Sequence, residues 1–176
     1  MKKVLISVAL LAIAAGAQAT TYDWGVHDAA ESHLSYVPAG AFSDVYTFSL
    51  GNAETAASSA VSLNLGSAYV ISGAQYSLWK DGGAAGPDGS DTMIGTWSFD
   101  GTSGTTANAH TVDLAAGNYF YAVSGTALGS GDAAHNAGIY NIASTITAVP
   151  EPETYALMLG GLMALGSLCA RRSKRN

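Results

Sequence analysis

The chain has 176 residues, with 13 acidic side chains against 7 Lys and Arg, a formal net charge of −6 and a single cysteine. Six of the seven basic residues lie near the two ends, so residues 20–149 hold 11 carboxylates against Lys80 alone. Such a segment offers nothing to nucleic acid, anionic lipid or polyanionic polymers, which all reward Lys and Arg; neutral glycans, cations and protein surfaces stay open.

At the N-terminus, Lys2 and Lys3 precede an apolar stretch from Val4 to Ala15, and Ala17-Gln18-Ala19 supplies the small residues of a signal peptidase site. Residues 1–19 therefore read as a signal peptide cut after Ala19, with the mature chain starting at Thr20. The basic ends place both termini initially in the cytoplasm and residues 20 to about 150 outside the inner membrane. Residues 20–148 are one domain of common size. They contain no cysteine, so packing rather than disulfides or thiolate-bound metal must hold them.

The run His27-Asp28-Ala29-Ala30-Glu31-Ser32-His33 is dense in ligand types. It lacks the His-Glu-x-x-His order that puts two imidazoles and a base on one helical face, and does not read as a metal site. Trp24-Gly25 before it suggests an N-terminal strand or cap. From 42 to 50 the pattern has period two: Phe42, Asp44, Tyr46, Phe48 and Leu50 share one face and Ser43, Val45, Thr47 and Ser49 the other. Asp44 on the face of the rings is costly unless it is bonded, so it is expected to tie backbone N–H groups of a neighbouring loop or to hold a cation.

Shorter alternations follow at 61–65, 76–78, 93–99, 110–114, 119–123 and 138–149. Seven or eight such strands separated by Gly, Asn, Asp and Ser predict an all-β domain, an antiparallel β-sandwich or jelly roll. Asp81, Asp88 and Asp91 share a Gly-rich loop, with Asp100 nearby. Calcium is the cation such oxygens would suit, although the spacing is not that of an EF-hand, and a solvated connection is the alternative. No other cofactor is indicated. Trp79 and Trp97 could stack on sugars or fill the core, and Trp97 alternates with large apolar residues as a core residue does. There is no Gly-x-Ser-x-Gly elbow, and residues 20–149 contain neither Cys nor Arg, so the domain is not read as an enzyme. Its 29 Ser and Thr suit solvent-facing strand positions or O-glycosylation. Leu114-Ala115-Ala116-Gly117-Asn118-Tyr119-Phe120-Tyr121 resembles the Leu-x-x-Gly-x-Tyr-x-Tyr edge of secreted β-sandwiches of the pre-peptidase C-terminal type, a likeness of fold only.

The last segment, 149–176, opens with Val149-Pro150-Glu151-Pro152-Glu153, continues in an apolar run at 155–170 and ends in the basic tail 171–176, with Arg171, Arg172, Lys174 and Arg175. Sixteen residues of helix span about 24 Å, short of a hydrocarbon core of about 30 Å, which suits a transient transmembrane helix better than a durable one. This order of parts resembles the PEP-CTERM sorting signal of Gram-negative bacteria that make exopolysaccharide. Phe42-Ser43-Asp44-Val45-Tyr46 is similar to the Phe-x-Asp-x-Phe signature of one subfamily, with Tyr46 in place of the second Phe. The resemblance implies that an exosortase cleaves near Pro150-Glu151-Pro152 and releases the exported domain to the cell surface or medium. It also implies a non-enzymatic surface or matrix protein associated with exopolysaccharide, biofilm or floc. An ordinary single-pass anchor is the alternative for the tail, and a small secreted carbohydrate-binding module or carbohydrate-active enzyme the alternative for the domain.

Overall fold

The period-two pattern of residues 42–50 forms the long strand β3 (Gly40–Leu50), and Phe42, Asp44, Tyr46, Phe48 and Leu50 are all buried, as their shared face requires. The structure, a computed structural model, describes residues 18–83, 86–99, 109–131, 136–149, 157–163 and 165. Around β3 these residues form β1 (Thr21–Val26), β2 (Ala30–Val37), β4 (Glu54–Ser62), β5 (Ile71–Lys80), β6 (Thr92–Ser98), β7 (His110–Leu114), β8 (Gly117–Ala127) and β9 (Gly138–Ala148). A five-stranded sheet runs in the order β1-β3-β8-β5-β6 and a four-stranded sheet in the order β2-β9-β4-β7. Their inner faces enclose one core, so the expected all-β domain in two sheets is present.

Two features depart from the expectation. The pairing is not wholly antiparallel, because β1 runs parallel to β3, with Tyr22 opposite Tyr46. Between them the chain crosses to the other sheet as β2 and returns, which leaves β1 and β3 pointing the same way. The second departure is at the end of β4 and just beyond it, where the apolar residues at 61–65 do not face inward. Val61, Leu63 and Leu65 are about half exposed, while Ala56, Ser58, Ala60 and Ser62 are buried. The small residues face in because Tyr76 of β5 reaches across the sandwich to them, its hydroxyl donating to the Ser58 carbonyl at 3.0 Å.

In β6 strict alternation also fails, and a bulge is the cause. The register opposite β5 shifts between Leu78 and Trp79, which face Gly95 and Met93, so Ile94 is left as the additional residue. Ile94 and Trp97 both pack on the core while Met93 is exposed. The Trp97 ring lies over Gly95, where a Cβ would come within 2.6 Å of it. The turn after Leu114 is held by the strand it introduces, since the Tyr119 hydroxyl donates back to the Ala115 carbonyl at 2.8 Å.

Residues 157–163 and 165 are helical, and Leu157, Met158 and Leu162 are exposed. Among the described residues no helix is long and apolar enough to cross a membrane. Ala17, Asp100, His135, Pro150, Glu151, Pro152, Cys169, Arg171 and Arg172 lie outside the described residues, as do most of the signal peptide and the whole basic tail.

Candidate functional site

Among the described residues Asp44 is the buried carboxylate of the core, 3 % exposed, and its surroundings explain how it is tolerated there. Strand parity aims it inward from β3 at β2 and β9 of the facing sheet. The Tyr140 hydroxyl of β9 donates to Oδ2 at 2.6 Å and the Ser35 hydroxyl of β2 donates to the same oxygen at 3.3 Å. Oδ1 accepts the Thr20 backbone N–H at 3.2 Å. Tyr140 and Tyr46 lie 2.7 Å apart, oxygen to oxygen; because the Tyr140 proton goes to Asp44, Tyr46 is the donor of that pair. Phe42 stacks on the Tyr140 ring with centroids 5.5 Å apart. Phe42, Asp44 and Tyr46 thus belong to one assembly, and the hydroxyl that sets Tyr46 apart from a phenylalanine extends its chain of hydrogen bonds.

The expected tie to backbone N–H groups is met by one such group, Thr20, while the other two donors are hydroxyls from the opposite sheet. Both carboxylate oxygens are engaged by donors, which fits a structural tie rather than a cation ligand. Burial raises the phenol pKa of both Tyr46 and Tyr140 well above the usual value, and the negative charge of Asp44 acts in the same direction. Both phenols therefore stay protonated and able to donate.

A second polar chain crosses the core through Ser144 of β9. Its hydroxyl lies 3.0 Å from His27 Nε2 and 3.1 Å from the Tyr121 hydroxyl. His27 is 2 % exposed, and its Nδ1 has no hydrogen-bond partner among the described residues. Burial lowers its pKa, against the opposing pull of Glu31, Glu54 and Asp28. His33, the other imidazole of the cluster, packs instead against the Tyr22 ring at 4.1 Å. The two histidines serve separate contacts, and no group of three or more His, Cys, Asp or Glu suited to a metal gathers among the described residues.

The Asp81–Asp91 loop uses its carboxylates on its own backbone. Asp91 accepts Gly82 N–H at 3.0 Å through Oδ1 and the Asp88 N–H through Oδ2. Asp81 accepts Gly83 N–H at 2.9 Å and Asp88 accepts Ser90 N–H at 2.6 Å. These bonds close tight Asp turns of the kind Gly-rich loops favour, and they orient Asp91 toward amide hydrogens rather than toward a shared centre with Asp81 and Asp88.

Beside this loop an open groove of about 330 Å³ is lined by Asp23, Thr47, Ser49, Asp81 and Tyr119, among others. Asp23 is held in place by Gly25 N–H at 2.9 Å and the Thr47 hydroxyl at 3.1 Å. Neither sequence-predicted tryptophan lines it. Trp79 is half-buried and stacks parallel to Phe120 with centroids 6.1 Å apart, and Trp97 stacks on His110 at 4.8 Å.

Ser35, Tyr140 and Ser144 had no signal of their own in the sequence. Alternation in β9 was the available clue, because it puts Tyr140, Ile142 and Ser144 on the face that the facing sheet covers. No family model matches the chain, and no curated protein matches it in sequence. Among solved structures it is similar to PliG of Aeromonas hydrophila, a periplasmic inhibitor of g-type lysozyme, at 17 % identity and a TM-score of 0.43, over 75 % of this chain and 100 % of that one. It is also similar to the pre-peptidase C-terminal domain of a collagenase from Bacillus anthracis, at 14 % identity and a TM-score of 0.42, over 72 % of this chain and 94 % of that one.

Proposed function

We propose that the chain is an exported, non-enzymatic surface or extracellular-matrix protein, processed by signal peptidase after Ala19 and by an exosortase near Pro150-Glu151-Pro152. The observation that carries this reading is the order of parts at the C-terminus. The last strand, β9, ends at Ala148, and two residues later the proline motif begins, followed by the apolar run and the basic cluster. A sorting tail works only when it starts where the folded cargo stops, and that spacing supports one here. Two prolines would keep the segment extended, open to a protease that a helix would exclude.

The interior supports a scaffolding role for the domain. Asp44, His27 and Ser144 are turned to partners inside the fold, and the loop carboxylates to their own amides. Association with exopolysaccharide, biofilm or floc follows from the sorting class, with transient residence in the inner membrane before release. The groove beside Asp23 and Asp81 has the carboxylate pair that a sugar-binding or hydrolytic site would use, but both tryptophans are engaged elsewhere, which favours the first reading over the carbohydrate-active one.

Replacing Pro150, Glu151 and Pro152 together with alanine tests the proposal. In a host with an active exosortase the wild-type chain is expected outside the cell or on its surface without the residues after about 152. The triple variant is expected uncleaved in the inner membrane, with intact mass distinguishing the forms. If both stay in the membrane at full length, the tail is a plain anchor.

A further inference from the structure

We propose that cleavage between Ala19 and Thr20 completes the Asp44 site, by turning the Thr20 backbone N–H into an α-ammonium that forms an ion pair with the Asp44 carboxylate. The inference rests on the export reading and its cleavage site. Signal peptidase adds water across the Ala19–Thr20 peptide bond. Ala19 leaves as a carboxylate with the signal peptide, and the nitrogen stays on Thr20 as an amine, which takes up a proton near neutral pH because a free α-amino group titrates at about 7.7–8.0.

The geometry for the pair is already present in the uncut chain. Thr20 N lies 3.2 Å from Asp44 Oδ1. Its own carbonyl accepts Val45 N–H at 2.8 Å, a bond that holds Thr20 beside β3 without help from residues 18 and 19. An amide hydrogen at 3.2 Å is a long, neutral donor, whereas an ammonium in the same place can close to about 2.7–2.9 Å and roughly double the strength of the bond. Thr20 is exposed, so the remaining ammonium hydrogens can face water and the cation is not buried whole.

Charge distribution gives the second line of support. Asp44 is a buried carboxylate, and among the described residues Lys80 is the only Lys or Arg. Lys80 sits at the far end of β5 opposite Tyr119, whereas Asp44 lies opposite Val123 of the same strand β8, about 13 Å further along at 3.3 Å per residue. The side chains that donate to Asp44 from β2 and β9 are the Ser35 and Tyr140 hydroxyls, with Tyr46 of β3 behind Tyr140; the β2 imidazole, His33, packs on the Tyr22 and Tyr46 rings. Among the described residues no Lys or Arg lies near Asp44, and a new ammonium at Thr20 would add a positive donor to a carboxylate whose other donors are hydroxyls.

Removing residues 18 and 19 costs little in return. Gln18 bonds to Ala41 and Ser43 of β3, but Ala41 is exposed and Ser43 half-buried. Water can take over those bonds, and no buried group is orphaned.

The full chain, expressed with its own signal peptide and recovered from the exported fraction, provides the test. N-terminal sequencing reports the cut; a start other than Thr20 overturns the cleavage reading, and the inference with it. Given a Thr20 start, its amine is acylated at pH 8 in the folded protein and again in urea, with Lys80 as internal reference. A carboxylate that holds the proton one pH unit longer makes the folded amine about four- to fivefold slower to react at pH 8; equal rates in the two states overturn the pair. The second arm inserts Ser-Gly between Ala19 and Thr20, so that the cut leaves an amide at Thr20 and moves the ammonium away. Tm is expected to fall by about 3–6 °C with Asp44 present and not to change when the same insertion is made in Asp44→Asn. An equal fall in both backgrounds, or none in either, overturns the pair even where the cut is at Thr20, and the acylation arm needs no variant that must fold.

Discussion

Substituting Asp44 by alanine orphans two buried donors, and the cost can be worked out bond by bond. Tyr140, with no measurable exposure, loses its acceptor at 2.6 Å, and Ser35, 2 % exposed, loses one at 3.3 Å. Tyr140 can turn its proton toward the Tyr46 oxygen 2.7 Å away and Tyr46 toward the Ser35 hydroxyl, but one proton of the chain is still left without an acceptor, so the deficit moves without vanishing. Each buried unsatisfied donor costs about 1–3 kcal/mol. Ser35 should lie at the low end because its bond is long, and Thr20, being exposed, can turn to water. The expected loss is about 2–4 kcal/mol, read as a shift of the urea midpoint followed by tryptophan fluorescence. Tyr140→Phe alone should cost about 2–3 kcal/mol, since it takes a strong donor from a carboxylate. The double variant should then lose about 1–2 kcal/mol less than the two single losses added together, because the phenol it removes is already orphaned. A loss under about 0.5 kcal/mol for Asp44→Ala, or strict additivity in the pair, would refute the network as described.

His27 is buried with its pKa lowered by desolvation, so the unfolded chain binds its proton first. The stability it confers should be whole above about pH 6.5 and decline as pH falls below that, and urea midpoints at pH 7.5 and 5.5 should converge in His27→Gln; an unchanged acid slope in that variant would count against the burial. Tyr76 has its phenol pushed up to about 12 by burial, and Tyr46, Tyr121 and Tyr140 are raised by the same cause. Their stabilising effect is present below about pH 10 and lost as pH rises past it, so tyrosinate absorbance from these four rings should appear only with alkaline unfolding, and a folded protein showing it below pH 11 contradicts the packing. Millimolar calcium should leave Tm unchanged, because Asp91 already spends both oxygens on amides; a rise that grows with calcium toward about 2.7 kcal/mol at a hundredfold excess over the dissociation constant would make the loop a calcium site.

The β3 face was legible because an eleven-residue strand between two neighbours repeats its pattern often enough to fix parity. Asp44 could even be read as a bonded core carboxylate from its place among the rings. Its partners could not, because Tyr140 is 96 positions away and nothing local marks which hydroxyl of the facing sheet will meet it. Parity misled at Val61, Leu63 and Leu65, where the apolar residues face out and small ones make room for Tyr76. It failed again at Ile94, where a bulge adds a residue that no alternation can reveal. β1 and β2 are short edge strands with much of their surface exposed, and such strands carry a weak hydrophobic signal.

The hydroxyl chains across the sandwich bear on how β9 finds its place. Sliding β9 by one residue would turn its inner side chains outward, and the hydrophobic pattern forbids it. A slide of two keeps every inner residue inside and exchanges Tyr140, Ile142 and Ser144 for one another, so burial alone discriminates poorly between that arrangement and the native one. The polar contacts do discriminate: in the slipped arrangement Ile142 or Gly138 would face Asp44, and Ser144 would leave His27 and Tyr121. Each displaced contact leaves a buried polar group unanswered, at a cost that grows with every member of the chain. The same tyrosines that fill the core by their rings thus select, by their hydroxyl tips, one alignment of the two sheets among those that grease alone would permit.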